Sequence, residues 1–288
     1  MYCDRLVILM ALNLCVLASG STGNATLLWA DNSALLIDCG RSKRFIEESL
    51  KSLQVDITRV KGILITHGHG DHINSGTIIL ARTHAIPIYI HAETYTTILG
   101  KKQCEPIARL DRRLIRHHTL ESFVLDEFRV QPFTTFHNGG FAGRTFGFSI
   151  IHDDGQRRRK IGFLTDTGKI DDAIIEALAD SHALVLEANH DPELVRNSDR
   201  HPVNKQWVLS DYGHLSNAAN ANAIREIIRR SKRNDILKHI FVAHISEQHN
   251  TPAIALRHIR TILNEYMIEN IELIPTFHRA KSIVVNLA

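Results

Sequence analysis

The sequence predicts an α/β protein built as a four-layer αββα sandwich, in which two mixed sheets face each other and helices cover the outside. Short apolar runs alternate with amphipathic helical patterns along most of the chain. The 288 residues, 44% of them hydrophobic and 23% charged, are enough for one large core. No low-complexity linker or internal repeat divides the sequence, which favours a single domain.

The predicted strands are short runs rich in aliphatic and aromatic residues that are bounded by turn residues. They cover 14–18, 25–29, 34–38, 62–66, 88–90, 123–124, 128–135, 146–152, 160–164, 183–187, 239–243, 272–273 and 282–285. Helices are predicted where apolar residues recur every three or four positions, at 44–53, 73–83, 170–178, 218–230 and 251–266. The last of these begins with Thr251 and Pro252, which suit the N-cap and the first turn of a helix.

The segment 67–72, HGHGDH, places three histidines and one aspartate directly after the apolar run 60–65. Its glycines suit a tight loop at the end of a strand. We expect His67 and His69 to bind one metal ion, and Asp71 and His72 to turn toward a second. Imidazole and carboxylate ligands favour Zn²⁺, Mn²⁺ or Fe²⁺ over Ca²⁺ or Mg²⁺. A histidine-rich surface loop that binds no metal is the alternative.

The pattern His-x-His-x-Asp-His resembles the signature of the metallo-β-lactamase fold, a four-layer αββα sandwich of hydrolases. The resemblance implies further ligands at later strand ends: His137 for the first ion, His244 for the second and Asp166 between them. It also implies hydrolysis, because two cations about 3.5–4 Å apart activate a water and neutralise the charge that builds up on the attacked oxygen. Asp71 would then be both ligand and general base, and Asp38 would support the metal loop through hydrogen bonds.

Four other segments resemble one branch of this fold, the YycJ (also called WalJ) group of cytoplasmic bacterial proteins. They are 19–24 (SGSTGN), 184–191 (LVLEANHD), 213–217 (GHLSN) and 243–252 (AHISEQHNTP). The resemblance covers the chain from about residue 13 onward. It implies a cytoplasmic 5′-to-3′ exonuclease that acts on double-stranded DNA in repair or maintenance.

The Gly-His-x-Ser element at 213–216 favours a phosphodiester substrate, because an imidazole, a hydroxyl and helix N-terminal amides suit an anionic phosphate. The element resembles that of transfer-RNA 3′-processing enzymes, which implies that His214 protonates the leaving oxygen and that Glu187 orients His214. We therefore expect Asp71, His214 and Glu187 to be catalytic, and His214 and Ser216 to contact the substrate phosphate. The alternatives are a loop histidine satisfied by Glu187 and a plain helix cap at Ser216.

Two differences from other branches of the fold narrow the range of expected substrates. Asn-Gly-Gly follows His137, in place of the Gly-His-Thr context of thioester hydrolases, lactonases and lactamases. The stretch from Asp166 to His244 is too short for the large cap of the RNA-processing and DNA-crosslink-repair branch, so an exposed cleft is expected. The remaining alternatives are a ribonuclease or small phosphodiesterase of the same fold, and a metal-bound regulatory protein with little catalysis. The complete ligand set argues against the last of these.

The net charge of +3 permits a nucleic-acid partner, DNA or RNA, without requiring one. Basic residues form two clusters: the residues Arg109, Arg112, Arg113 and Arg116 with His117 and His118, and the run 157–160. The first cluster fits a solvated helix face or a phosphate-binding patch equally well, whereas the second is expected on a solvated hairpin. Lys205, Gln206 and Trp207 could meet a strand end or a base, although ordinary packing is favoured for Trp207.

The N-terminal residues 6–20 superficially resemble the apolar core and cleavage site of a signal peptide. The segment 13–28 instead resembles the first hairpin of the YycJ group, and cleavage there would remove a strand. We therefore expect 1–11 to be an N-terminal extension or a misassigned start, with Met10 as a candidate initiator, and 12–288 to be the metallo-β-lactamase domain. The four cysteines are scattered and are expected to be reduced and mostly buried. No membrane segment is predicted, and the oligomeric state stays open.

Overall fold

The computed structural model describes residues 12–102, 105, 107, 110–137, 143–233 and 235–287. Its strands are β1 Asn13–Ala18, β2 Ala25–Trp29, β3 Ala34–Cys39, β4 Val60–Leu64, β5 Ile88–His91, β6 Ile115–His118, β7 Phe123–Leu125, β8 Phe128–Thr134, β9 Phe146–Asp153, β10 Arg158–Leu164, β11 Ala183–Glu187, β12 His239–Ala243, β13 Glu272–Pro275 and β14 Val285–Asn286. Its helices are α1 Lys43–Ser52, α2 Ser75–His84, α3 Ala92–Ile98, α4 Asp172–Leu178, α5 Pro192–Arg196, α6 Pro202–Val208, α7 Asn217–Arg230 and α8 Pro252–Glu265.

The strands form two seven-stranded mixed sheets, with the orders β14-β1-β2-β3-β4-β5-β6 and β13-β12-β11-β10-β9-β8-β7. In the first sheet β3 to β6 are parallel, and in the second sheet β10 to β13 are parallel. Each sheet therefore has an edge at which several parallel strands end together. These edges carry the metal-loop residues and the single ligands predicted from the sequence.

Three apolar clusters make the four layers. The middle cluster lies between the sheets and joins side chains such as Leu14 and Leu35 of the first sheet to Phe128, Phe148 and Phe241 of the second. One outer cluster covers the first sheet with α1 and α2, and the other covers the second sheet with α4, α7 and α8. The predicted αββα sandwich is confirmed.

The sequence-based assignment missed β6 and the short helices α3, α5 and α6. Arg116, His117 and His118 were included in a basic cluster with a helix face as one alternative, and for them that alternative is wrong because they lie in the edge strand β6. Only His118 of this strand is buried, and exposed charged side chains are typical of sheet edges. Arg112 and Arg113 belong to a single 3₁₀ turn capped by Asp111. Arg109 lies outside the described residues.

The remaining differences are at element boundaries. The strand expected at 282–285 is β14, which begins only at Val285, because Ser282 hydrogen-bonds the backbone of Val16 through both its amide and its hydroxyl. The run 157–160 lies on the β9–β10 hairpin, as predicted, and Gly155 makes the turn with φ +82°. Thr251 caps α8 with Pro252 in its first turn, also as predicted.

The first hairpin, β1 and β2, pairs antiparallel as expected. Cys15 and Cys39 are buried free thiols, whereas Cys3, Cys104 and the expected extension 1–11 lie outside the described residues. In the part of the chain that the structure describes, every helix is too short or too polar to cross a membrane.

Candidate metal centre

The predicted ligands meet where strands of both sheets end. The loop 67–72 follows β4, Asp166 follows β10 and His244 follows β12. Asp166 and His244 have φ values of 57° and 53°. This left-handed backbone conformation is uncommon for residues other than glycine. Backbone held in this region at the ends of β10 and β12 is consistent with a functional site, where such conformations cluster.

The seven predicted ligands form two groups that share one aspartate. The donor atoms of each group lie within 4.8 Å of one another, and the groups are His67, His69 and His137, and Asp71, His72 and His244. Asp166 stands between them, with Oδ1 3.8 Å from His137 Nε2 and 3.7 Å from His244 Nε2, and Oδ2 3.1 Å from His72 Nε2. This arrangement could hold two cations on either side of one carboxylate. The donor atoms of Asp166, Glu187, His214 and His244 also lie within 4.8 Å of one another.

Hydrogen bonds fix the orientation of three of these imidazoles. In each of them Nδ1 donates to an oxygen: His72 to Asp38 at 2.7 Å, His137 to the Gly213 carbonyl at 2.8 Å and His244 to Glu187 at 3.1 Å. Such a bond leaves the Nε2 lone pair directed at the centre, as in histidine ligands of metals. His244 Nε2 is buried and has no hydrogen-bond partner among the described residues, so the donor set fits a divalent cation.

The protonation states of His67, His137 and Asp166 suit a cation. Burial lowers the pKa of His67 far below its usual value, and it lowers the pKa of His137 to about 4. Burial acts to raise the pKa of Asp166, yet the positive charges of His244 and His72 hold it well below its usual range. Neutral imidazole and ionised carboxylate are the forms that bind metal. Burial acts to lower the pKa of His72 and His244, but the neighbouring carboxylates raise both, so these two imidazoles would have to lose a proton to bind a metal.

Asp38 supports the metal loop from β3. Its carboxylate accepts from the Thr66 backbone N–H at 2.9 Å and from the Thr66 hydroxyl, in addition to His72. Asp38 is fully buried and has φ 55°. The hydrogen-bonding role that the sequence implied for Asp38 is the one it has in the structure.

Sequence reasoning missed three residues that hold the ligands. Asn24 Nδ2 donates to Asp71 Oδ2 at 3.2 Å, and the Ser19 hydroxyl accepts from the His244 backbone N–H at 2.8 Å. Asn189 Nδ2 donates to the His244 carbonyl at 2.9 Å. Ser19 and Asn24 lie in the turn SGSTGN and Asn189 lies in LVLEANHD, so these motifs were the available signal, but they carried no indication of which side chain each residue would contact.

Glu187 and His214 form a pair beside the ligands. Glu187 is 0% exposed, and its Oε1 accepts from His214 Nδ1 at 2.7 Å. Its other oxygen accepts from the backbone N–H groups of Thr167 at 2.9 Å and Leu215 at 3.3 Å. Although burial acts to raise the pKa of Glu187, the neighbouring His214 charge and hydrogen bond lower it below its usual range. The carboxylate therefore stays ionised and fixes the His214 ring, which retains 13% exposure.

For the other residues that were considered as substrate contacts, the structure shows either a different role or a position away from the centre. The Ser216 hydroxyl caps α7 by accepting from the Ala219 N–H at 3.2 Å, so its contact with a phosphate stays a prediction. The basic run 157–160 starts β10, whereas the centre follows the end of that strand, so the two lie at opposite ends. Lys101, not singled out from the sequence, donates to the Gly68 carbonyl in the metal loop at 3.0 Å.

The chain is similar to known proteins both in its sequence and in its fold. The family model described as "Beta-lactamase superfamily domain" matches residues 34–240. The chain is 32% identical to exodeoxyribonuclease YycJ of Bacillus anthracis, covering 89% of this chain and 90% of that protein. It is 30% identical to exodeoxyribonuclease WalJ of Streptococcus pneumoniae, with coverages of 83% and 84%. The crystal structure of the metallo-β-lactamase fold protein YhfI from Bacillus subtilis superposes with a TM-score of 0.66 at 14% identity, over 96% of this chain and 99% of that one.

Proposed function

Because the chain belongs to the metallo-β-lactamase family of metal-dependent hydrolases, we propose that it is a phosphodiesterase with two divalent metal ions, and most concretely a 5′-to-3′ exonuclease that degrades double-stranded DNA. A role in DNA repair or maintenance would follow from that activity. The observation that carries the proposal is the hydrogen bond between buried Glu187 and the partly exposed His214 beside the ligand groups.

The ligand groups support two ions of a metal that accepts both imidazole and carboxylate, such as Zn²⁺, Mn²⁺ or Fe²⁺. One would be held by His67, His69 and His137, the other by Asp71, His72 and His244, with Asp166 common to both. When bound, such ions activate water and offset the charge that develops on a phosphoryl oxygen.

The side chains of the centre suit the proton transfers of phosphodiester hydrolysis. Asp71, oriented by Asn24, would accept a proton from the attacking water. His214 would donate a proton from Nε2 to the leaving oxygen, because its Nδ1 is engaged by Glu187. A nucleotide leaves as an alkoxide, which is a poor leaving group unless it is protonated, so a positioned acid is more useful for a phosphodiester than for a substrate with an acidic leaving group.

The nucleic-acid substrate is supported by the relatives and by one local charge. Both curated relatives are named as exodeoxyribonucleases, which favours DNA over RNA. Lys101, whose ammonium group contacts the metal loop, adds a positive charge where a phosphate backbone would approach.

The test compares four substrates on the metal-loaded chain: 5′-labelled duplex DNA, single-stranded DNA, RNA and bis(p-nitrophenyl) phosphate. With Zn²⁺ or Mn²⁺ we expect release of the labelled 5′-terminal nucleotide from duplex DNA. Faster cleavage of RNA than of DNA would replace the DNA exonuclease with the ribonuclease, and hydrolysis of the small diester without cleavage of either nucleic acid would replace it with the small phosphodiesterase. If none of the four is hydrolysed, the phosphodiesterase proposal is wrong.

His214→Ala tests the proton donor. We expect kcat on DNA to fall on the order of 100-fold or more, with metal content unchanged. His239→Ala is the matched control, because His239 Nδ1 also pairs with a glutamate, Glu272, at 2.9 Å, but at the start of β12, away from the centre. A His214→Ala variant as fast as His239→Ala would remove His214 from the mechanism.

A further inference from the structure

An aromatic strip, defined as Trp207, Phe136 and Tyr212, borders the metal centre on the side of His214. The Trp207 ring lies 5.3 Å from the His214 ring at 86° and 5.7 Å from the His137 ring at 60°, measured between centroids. The Phe136 and Tyr212 rings are 6.5 Å apart. Phe136 directly precedes His137 in the chain and Tyr212 lies two residues before His214, so both rings belong to segments that carry residues of the centre.

The backbone holds Trp207 firmly in place. It lies in the last turn of α6, and its carbonyl accepts from both the N–H and the hydroxyl of Ser210, at 3.0 and 2.8 Å. The His214 N–H donates to the Val208 carbonyl at 3.2 Å. A Cβ on Gly213 would lie 2.1 Å from the Trp207 carbonyl oxygen, so only glycine allows this close approach. The helix end and the His214 loop therefore form one rigid unit.

Two rings of the strip are not part of the apolar core. In the described chain, Phe136 packs against the outer cluster of the second sheet, whereas Trp207 and Tyr212 belong to none of the three clusters. Trp207 is partly exposed and Tyr212 is 49% exposed. Packing in the three apolar clusters therefore does not account for the positions of Trp207 and Tyr212.

A positive charge accompanies the strip. The Lys169 ammonium lies 4.5 Å from the centre of the Phe136 ring and 3.0 Å from Asp211. Aromatic planes with a nearby cation are the usual platform for single-stranded nucleic acid, because every base has a face that can stack.

We propose that the aromatic strip binds an unstacked nucleobase of the nucleotide next to the scissile phosphodiester, with Trp207 as the main stacking surface. The inference rests on the proposed nuclease function and adds the recognition of the terminal base to it. A base inside a duplex is already stacked on its neighbours, so the strand end must fray before the base can reach Trp207. Binding would therefore require a base but tolerate any of the four.

A cycle of protein and substrate changes tests this contact. The substrates are three 5′-labelled duplexes. One is intact, one lacks the base on the 5′ side of the scissile bond, and one lacks the base on its 3′ side. For the metal-loaded wild type, loss of the contacted base should raise KM on the order of tenfold. In Trp207→Ala the intact and abasic duplexes should have equal KM values.

Tyr266→Ala is the matched control, because Tyr266 is 44% exposed with the Arg225 guanidinium 4.6 Å from its ring centre, at the end of α8. Tyr266→Ala should keep the abasic penalty, which is the increase in KM caused by loss of the contacted base, at its wild-type size. Tyr212→Ala gives a second reading of the strip and should reduce that penalty in part. If the penalty is absent from the wild type at both positions, or unchanged in Trp207→Ala and Tyr212→Ala, the inference is overturned while nuclease activity stands. If no nucleic acid is cleaved, the proposed function fails instead.

Tryptophan fluorescence gives a readout that does not depend on cleavage. The chain has two tryptophans, and the other, Trp29, is 8% exposed. A cleavage-resistant phosphorothioate oligonucleotide should quench the wild-type emission and leave that of Trp207→Phe unchanged. Equal quenching in both proteins would contradict stacking on Trp207.

Discussion

Replacing Glu187 by glutamine should weaken both the fold and the chemistry, although the two side chains have the same shape. The Glu187 carboxylate accepts four hydrogen bonds, from His214 Nδ1, His244 Nδ1 and the N–H groups of Thr167 and Leu215, at 2.7 to 3.3 Å. All four partners are donors. A glutamine amide has one accepting oxygen, and its NH₂ group would face two of these donors whichever way it turned.

The size of the loss follows from this count. A buried donor left without an acceptor costs about 1–3 kcal/mol. Two such donors in Glu187→Gln would lower the free energy of unfolding by about 2–6 kcal/mol. The variant should also lose metal affinity by about 10–100-fold, because His244 would no longer be held by a carboxylate.

The free energy of unfolding is measured by urea denaturation of the proteins after a chelator has removed their metal. Metal affinity is then measured by competition with a chromogenic chelator. Glu272→Gln is the matched control, since Glu272 accepts a similar 2.9 Å bond from His239 but is 52% exposed; its free energy of unfolding should change by less than about 1 kcal/mol. If Glu187→Gln unfolds at the same urea concentration as Glu272→Gln, with the same slope, the hydrogen-bond argument is refuted.

Three further predictions use the same contacts. Asp71→Ala should retain the wild-type circular dichroism but reduce kcat on duplex DNA on the order of 100-fold or more; wild-type turnover would exclude Asp71 as the base. Asp38→Asn should keep the left-handed backbone at φ 55°, which asparagine tolerates, but lower metal affinity about 10–100-fold in chelator competition; unchanged affinity would show that the negative charge of Asp38 beside His72 is irrelevant. Burial raises the pKa of the Cys39 thiol to about 12, so at pH 8 it should resist iodoacetamide until the protein is unfolded, as peptide mapping would reveal; rapid native labelling would contradict its burial.

The sequence predicted the layers and the ligands for different physical reasons. Strands buried on both faces, such as β3 and β12, are continuous apolar runs, and this pattern is visible in any single sequence. The loop 67–72 carries its ligands close together in the chain, and the single residues His137, Asp166 and His244 stand at strand ends where the family resemblance expects them. The structure places them in overlapping groups of three or four whose donor atoms lie within 4.8 Å of one another.

Features that depend on distant contacts could not be predicted in this way. The edge strand β6 has a polar sequence because only one of its side chains is buried. Asn24, directly before β2, donates a hydrogen bond to Asp71, which lies 47 residues later in the chain. A turn motif does not reveal such a distant partner. Trp207 was favoured as ordinary packing, since nothing in the sequence shows that its neighbours are the His137 and His214 rings.

The most direct test of the two-metal phosphodiesterase is to count metal and measure turnover on the same samples. Chelated protein would be titrated with Zn²⁺ or Mn²⁺, bound metal measured by mass spectrometry, and hydrolysis of bis(p-nitrophenyl) phosphate followed at each step. The ligand geometry predicts that two ions bind per chain and that hydrolysis rises as they do. Full activity in the chelated protein, or no hydrolysis by protein that holds two ions, would contradict the assignment.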